Sequence, residues 1–160
     1  MRQRKFWEAI RAKTDGWGVA LAKAPLLRWA LGIVYFHFGF LKFFADLSPA
    51  ELLAEQTIIR LSLFWLDAEL ALRLLAAFEC VIGLGFIFDV KPRWIFLLFL
   101  AHMAGTFTPI FLLPGFAFKV VPFCPTFEGQ YILKNLVFVA AGWTVLYPRA
   151  FGGRRQNEKN

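Results

Sequence analysis

Four apolar stretches, each about twenty residues long and closed by charged or turn-forming positions, dominate the hydropathy pattern of the chain. They cover residues 25–44 (PLLRWALGIVYFHFGFLKFF), 68–88 (AELALRLLAAFECVIGLGFIF), 93–114 (RWIFLLFLAHMAGTFTPIFLLP) and 128–147 (EGQYILKNLVFVAAGWTVLY). A hydrocarbon core of about 30 Å is crossed by roughly 20 such residues in a helix, so the pattern predicts four membrane spans. The ten-residue alternating segments of a membrane barrel do not occur. Pro25 stands at a helix start, where its missing N–H costs nothing, and Asp89–Val90–Lys91–Pro92 forms a tight turn between the second and third spans. The expected fold is an all-α membrane protein, a four-transmembrane-helix bundle over 25–147. A basic amphipathic segment, 1–24, precedes it and a basic tail, 148–160, follows.

Two flanking segments read as interfacial. Residues 2–13 put Phe6, Trp7 and Ile10 on one helical face among Arg and Lys, as in a surface-lying anchor. Ser48–Pro49–Ala50–Glu51 is a capping box with Pro at the first helical position, predicting a short outer-surface helix over about 49–59. The loop 115–127 (GFAFKVVPFCPTF) is too apolar for free solvation and is expected to pack over the outer mouth of the bundle.

Composition narrows the class. Of 160 residues, 59% are hydrophobic and 18% charged, with 20 Phe and 6 Trp, more apolar surface than one small core can cover. The net charge of +7 raises nucleic acid as a partner, but its distribution argues otherwise. Arg2, Arg4, Lys5, Arg11, Lys13 and Lys23 precede the first span, Lys91 and Arg93 sit in the second connection, and Arg149, Arg154, Arg155 and Lys159 lie in the tail. The first connection carries Asp46, Glu51, Glu55 and Asp67 against Arg60. By the positive-inside rule both termini are cytoplasmic, and the basic surplus reports topology and attraction to anionic lipid. Trp29, Trp94 and Trp143 near inner ends and Trp65 near an outer end fit an aromatic belt. The first span exceeds a signal-peptide h-region and no A-x-A pattern follows it, so it is expected to stay. Cys80 and Cys124 make neither a disulfide framework nor a multi-cysteine metal site, and no C-x-x-C occurs.

Polar residues inside spans are expensive and commonly functional. From the outer end of each span, Lys42 lies about 3 Å deep, Arg73 about 7 Å, Lys134 and Asn135 about 10 Å, and Glu79 and His102 about 16 Å. Helical facing aligns Arg28, Gly32, Tyr35, Gly39 and Lys42 on the first span and Ala76, Glu79 and Gly83 on the second. His102, Gly105, Thr106 and Pro109 align on the third, with Ala101 and Gly105 as a small-xxx-small pair for close helix approach. Tyr131, Lys134 and Asn135 share a face of the fourth. Glu79, His102 and Lys134 then converge on an outward-opening polar pocket with Lys42 at its rim. His37 points away, toward lipid or another subunit, which disfavours a haem held between His37 and His102. Plainer readings stand beside these: a Glu79–Lys134 ion pair that only fixes helix register, Lys42 snorkelling to headgroups, and Arg73 paired with Glu69 one turn away.

The residues also carry a resemblance. Arg28 to Phe44 (RWALGIVYFHFGFLKFF), Glu79 to Gly85 (ECVIGLG), His102 to Phe107 (HMAGTF) and Pro125 to Val137 (PTFEGQYILKNLV) resemble, in order, the helices of the DoxX family. The resemblance implies a four-helix bacterial inner-membrane protein. Family members are associated with a terminal oxidase, a thiosulfate–quinone oxidoreductase and membrane redox-stress complexes. Carried over residue by residue, it points to Gly39 and Lys42, Glu79, the 102–106 stretch, and Gln130, Tyr131, Lys134 and Asn135.

The resulting expectation is a small subunit of a quinone-linked redox system. A quinone head group would occupy the outer-half pocket with Glu79, His102 and Lys134 as its catalytic residues, Lys134 or His102 donating a hydrogen bond to a quinone carbonyl and Glu79 accepting or donating the proton. Gly39, Lys42, Thr106, Tyr131 and Asn135 would bind the ligand. No metal or electron carrier is encoded, so the partners expected are the lipid bilayer and a membrane redox subunit. Two other readings remain open: a non-catalytic scaffold or assembly subunit, and a small carrier or channel acting as an oligomer.

Overall fold

The structure, a computed structural model, describes residues 25–44, 47–48, 51–63 and 65–157. The basic segment 1–24 and the Pro49–Ala50 part of the capping box lie outside the described residues.

The chain is built from helices α1 (Leu26–Leu41), α2 (Glu51–Leu61), α3 (Ala68–Phe88), α4 (Pro92–Phe107) and α7 (Phe127–Asn157). Two single turns, α5 (Pro109–Leu112) and α6 (Pro114–Ala117), lead into a small antiparallel hairpin of β1 (Phe118–Val120) and β2 (Cys124–Pro125) before α7. Local chemistry sets the boundaries. The Asp67 carboxylate accepts the Leu70 N–H at 2.9 Å and caps α3. At its other end Asp89 takes a left-handed conformation (φ 56°) and returns its N–H to the Gly85 carbonyl. Lys91 is also left-handed (φ 44°), and Pro92 starts α4 one residue later. The tight α3–α4 turn is as expected.

Three boundaries depart from the hydropathy pattern. The first helix ends at Leu41, with Lys42 as its cap. The third span is interrupted at Thr108, because Pro109 has no N–H to offer the Gly105 carbonyl. That carbonyl accepts instead the Thr108 N–H at 3.1 Å and the Thr108 hydroxyl at 2.7 Å. The last helix runs ten residues beyond Tyr147, through Pro148, where a separate tail is expected. Its extension is docked on the α3–α4 turn: Arg149 Nε lies 3.2 Å from Asp89 Oδ2, and Arg93 Nε donates to the Ala150 carbonyl at 2.7 Å. At the same end Arg28 donates to the Phe86 and Ile87 carbonyls, covering the C-terminus of α3. The outer-surface helix forms as α2 and continues two residues past the expected end at Ile59, to Leu61. The 115–127 segment only partly packs over the bundle, since Ala117, at the end of α6, is buried while Val120, Val121 and Phe123 are exposed.

Phe86, Phe99, Ile82 and Leu146 fill the centre, joined by Leu31, Tyr35, Phe96 and Met103. Outward, large apolar side chains such as Ile33, Leu74, Leu97 and Val137 are exposed, while Glu79 and His102 are buried. That inside-out distribution is expected of a lipid-facing surface. The α3 helix and the Pro92–Leu112 stretch are each long and apolar enough to cross a membrane.

The α1–α3 pair is the most extensive helix contact and depends on missing side chains. A Cβ on Gly39 would lie 2.8 Å from Glu79 Cβ and 2.9 Å from the Cys80 nitrogen, and one on Gly83 would lie 2.5 Å from the Phe36 nitrogen. Around Gly105, by contrast, no atom lies within 4 Å of an added Cβ. The Ala101–Gly105 pair is therefore not a helix contact, because Ala101 is exposed and both residues line a cavity. Gly39→Leu should lower stability by about 3 kcal/mol or more, overpacking at a backbone contact. Gly105→Ala should be neutral or stabilise by up to about 1 kcal/mol through helix propensity. Thermal unfolding of the two variants in detergent checks the contrast.

Candidate functional site

The inward stripes of α1, α3 and α4 meet at one cluster. Glu79, from α3, offers Oε2 to Lys42 Nζ at 2.6 Å and Oε1 to His102 Nε2 at 3.0 Å. His102 Nδ1 lies 3.2 Å from the Tyr35 hydroxyl. The Lys42, Glu79 and His102 side chains are only 8–9% exposed, so this is a buried ion pair extended by an imidazole and a phenol. Lys42 also donates to the Phe38 carbonyl at 3.3 Å. A carboxylate only accepts, so His102 Nε2–H donates to Glu79, and Nδ1 faces the Tyr35 hydroxyl, which can both donate and accept. Desolvating two charges costs several kcal/mol per ion, and the short contacts, one donor on each carboxylate oxygen, offset that cost.

Two cavities flank the cluster. One, of about 300 Å³, lies beneath α2 and is completed by Leu53, Thr57, Ile58, Leu75, Phe78 and Ile132. The other, of about 280 Å³, is completed by Val34, Tyr35, Phe38, Met103, Lys134 and Phe138. Lys42, Glu79, His102, Thr106, Tyr131 and Asn135 belong to both, so they form a polar partition between two largely apolar chambers. The face of α2 that roofs the first chamber repeats at 53, 54, 57, 58 and 61, as an amphipathic helix predicts.

Most expected site residues are thus brought together: Glu79, His102, Lys42, Thr106, Tyr131 and Asn135. Lys134 is not at the ion pair. It is exposed, lies over the Tyr131 ring with Nζ 5.0 Å from the centroid, and lines only the second of the two cavities. The buried partner of Glu79 is Lys42, which also rules out a Lys42 that merely snorkels to headgroups. Gly39 lines neither cavity; its part is the close approach of α1 to α3. Arg73 pairs with Glu69 one turn away at an exposed position, and His37 faces outward as its angle predicts. Both cysteines are free, Cys124 exposed and Cys80 directing Sγ to the Phe36 carbonyl at 3.8 Å.

Sequence reasoning missed Tyr35 as a site residue and the Lys42–Glu79 pair. Tyr35 was legible on the inward stripe, three residues after Gly32 and seven before Lys42. The pair was hidden by measuring depth from each span's own end. Eleven residues of α3 lie beyond Glu79 but only two of α1 beyond Gly39, so α3 protrudes about 13 Å further than α1.

A helical, lipid-facing exterior around a buried charge cluster defines a membrane protein of the small helical kind. The family model described as DoxX matches residues 24–121, well over half of the chain, and the chain belongs to the DoxX family. The match covers α1 to β1 and therefore Tyr35, Lys42, Glu79 and His102, whereas Tyr131, Lys134 and Asn135 lie beyond it. No curated protein and no solved structure matches the chain.

Breaking a buried ion pair from one side is expected to cost about 3–5 kcal/mol, because an uncompensated charge is left behind. Lys42→Met and Glu79→Gln should each show that loss, and the double variant should be more stable than either single one. Lys134→Met should cost at most about 1 kcal/mol, the scale of an exposed cation–π contact. Unfolding free energies of the four variants in a mild detergent give the comparison.

Proposed function

We propose that this chain is a small, non-autonomous subunit of a quinone-linked redox system. It lies multi-pass in the bacterial inner membrane as a bundle of four transmembrane helices with both termini in the cytoplasm. The gathering of Arg28, Arg93 and Arg149 at one end of the helices, opposite Glu51, Glu55 and Asp67, supports that orientation. The quinone head group binds in the outer half, in the cavity beneath α2.

The observation that carries this reading is an otherwise apolar cavity of about 300 Å³ walled on one side by proton-carrying groups. Charge arithmetic limits the ligand. Lys42 and Glu79 cancel, so the site retains no net charge to hold a free anion and suits a neutral ring with carbonyl or hydroxyl groups. Lys42 has three N–H bonds, of which one is directed to Glu79 and a longer one to the Phe38 carbonyl, leaving a donor for a quinone carbonyl. This is the role that the sequence pattern offers to Lys134 or His102. Glu79 and His102 take up the two protons released when a quinol is oxidised, and the two electrons pass to a partner subunit. Phe78 and the α2 side chains hold the ring, while Thr106, Tyr131 and Asn135 complete its polar edge.

The close α1–α3 packing held by the same ion pair favours a second reading, a scaffold whose buried charges fix helix register. The two part on ligand content. Lipid extracted from chain purified out of native membranes should contain quinone in near-equal amount, and Lys42→Met should lower it about tenfold or more, the loss of one charge-assisted hydrogen bond. Chain free of quinone, with redox activity of the host membrane tracking only the abundance of Glu79→Gln protein, rejects the quinone reading in favour of the scaffold.

A further inference from the structure

The residues around the second cavity, of about 280 Å³, sort by height along the helices. Lys42 at the end of α1, Thr106 near the end of α4, and Tyr131 and Lys134 in the first turns of α7 mark its outer end. One to two turns further in come Phe38 and Val34 from α1, Met103 from α4 and Phe138 from α7. Below the polar outer end the His102–Tyr35 pair is thus set in an apolar lining. Phe38 and Lys134 are both exposed, so the cavity reaches the exterior of the bundle between α1 and α7. There the exposed Leu133, Leu136 and Val137 mark a surface that meets lipid. Lys42 and Glu79 cancel, which leaves the Lys134 ammonium as the charge to be answered. Among the described residues no carboxylate pairs with it. Its Nζ lies 5.0 Å from the centre of the Tyr131 ring, one turn nearer the start of α7, so the side chain reaches toward the outer end. A cation on a lipid-facing surface is costly unless it meets an anion or water at headgroup level.

We propose that this cavity binds one phospholipid, its phosphate on Lys134 and one acyl chain running inward along Phe38, Val34, Met103 and Phe138. The order of the lining, polar at the outer end and apolar below, is the order of an outer-leaflet lipid standing in the bilayer. One unanswered ammonium matches the single charge of one phosphodiester, and an ammonium–phosphate contact is a charge-assisted hydrogen bond. The Tyr131 hydroxyl and the Asn135 amide, which line the same cavity, can donate to the remaining phosphate or glycerol oxygens. The orientation argued above enters only in naming the leaflet; the lipid site stands independently of the quinone reading.

The test uses the full chain, purified in a mild detergent, delipidated and titrated with dioleoyl phosphatidylglycerol while bound lipid is counted by native mass spectrometry. One phosphatidylglycerol should bind per chain, about tenfold or more tighter than dioleoylglycerol, which has the same chains and no phosphate. Lys134→Met, at an exposed position, should weaken phosphatidylglycerol about tenfold or more and leave dioleoylglycerol unchanged, while Lys134→Arg should keep the preference. Phosphatidylglycerol with a photoreactive diazirine midway along one chain should cross-link to Phe38, Met103 or Phe138. Equal binding of the two lipids, unchanged phosphatidylglycerol binding in Lys134→Met, inorganic phosphate bound as tightly as the lipid, or cross-links confined to outer-face residues such as Leu97 and Val137 each overturns the proposal. Chain that binds phosphatidylglycerol through Lys134 but never yields quinone rejects the quinone reading alone; quinone in chain that binds the two lipids equally rejects this one alone.

Discussion

Everything polar in the interior is arranged around one constraint, the need of the Glu79 carboxylate for compensation in a desolvated site. A carboxylate buried among Phe residues is tolerable only if each oxygen has a strong donor, and Lys42 and His102 are those donors. Bringing Lys42 to Glu79 requires α1 to lie nearly backbone-to-backbone on α3, which is why Gly39 and Gly83 occupy the crossing. Fixing His102 from the other direction requires Tyr35, itself held among Phe86, Phe99 and Phe138. The aromatic core and the charge cluster are therefore parts of one packing solution.

The same cluster organises the empty space. Three of its members, with Thr106, Tyr131 and Asn135, separate two chambers that the apolar packing leaves unfilled. One chamber is roofed by the amphipathic α2; the other has Lys134 in its lining. Both chambers are largely apolar, and the polar groups they share form the wall between them. Membership of the DoxX family places the chain among membrane proteins; the quinone and the partner subunit are inferences from the cavities and their polar wall.

The helices and most of the polar wall were legible in the sequence because the membrane makes both conspicuous. Twenty-residue apolar runs mark helices, and charges within them mark the positions that must face inward, so the stripes through Gly39 and Lys42, Glu79 and Gly83, and His102 and Thr106 could be read at 100° per residue. The pairing of those charges could not. It depends on how far one helix protrudes past another, and hydropathy contains no such information, so the pattern offers Lys134 as an ion-pair partner for Glu79 where the stagger of α1 and α3 gives it Lys42. The break at Thr108 and the extension of α7 through Pro148 escaped for a related reason. The same residue type interrupts one helix at Pro109 and is carried by another at Pro148, where Arg93 and Arg149 dock the continuation on the α3–α4 turn. Tertiary contacts decided between two outcomes that propensity treats alike.

The central claim is that the polar wall faces a bound ring and is more than a staple between helices. An experimental map of the chain purified from native membranes tests it most directly. The account predicts planar density beneath α2, with a polar atom within hydrogen-bonding distance of Lys42 and of Glu79 or His102. A cavity that is empty, or filled only by an acyl chain making no polar contact with these residues, would contradict it.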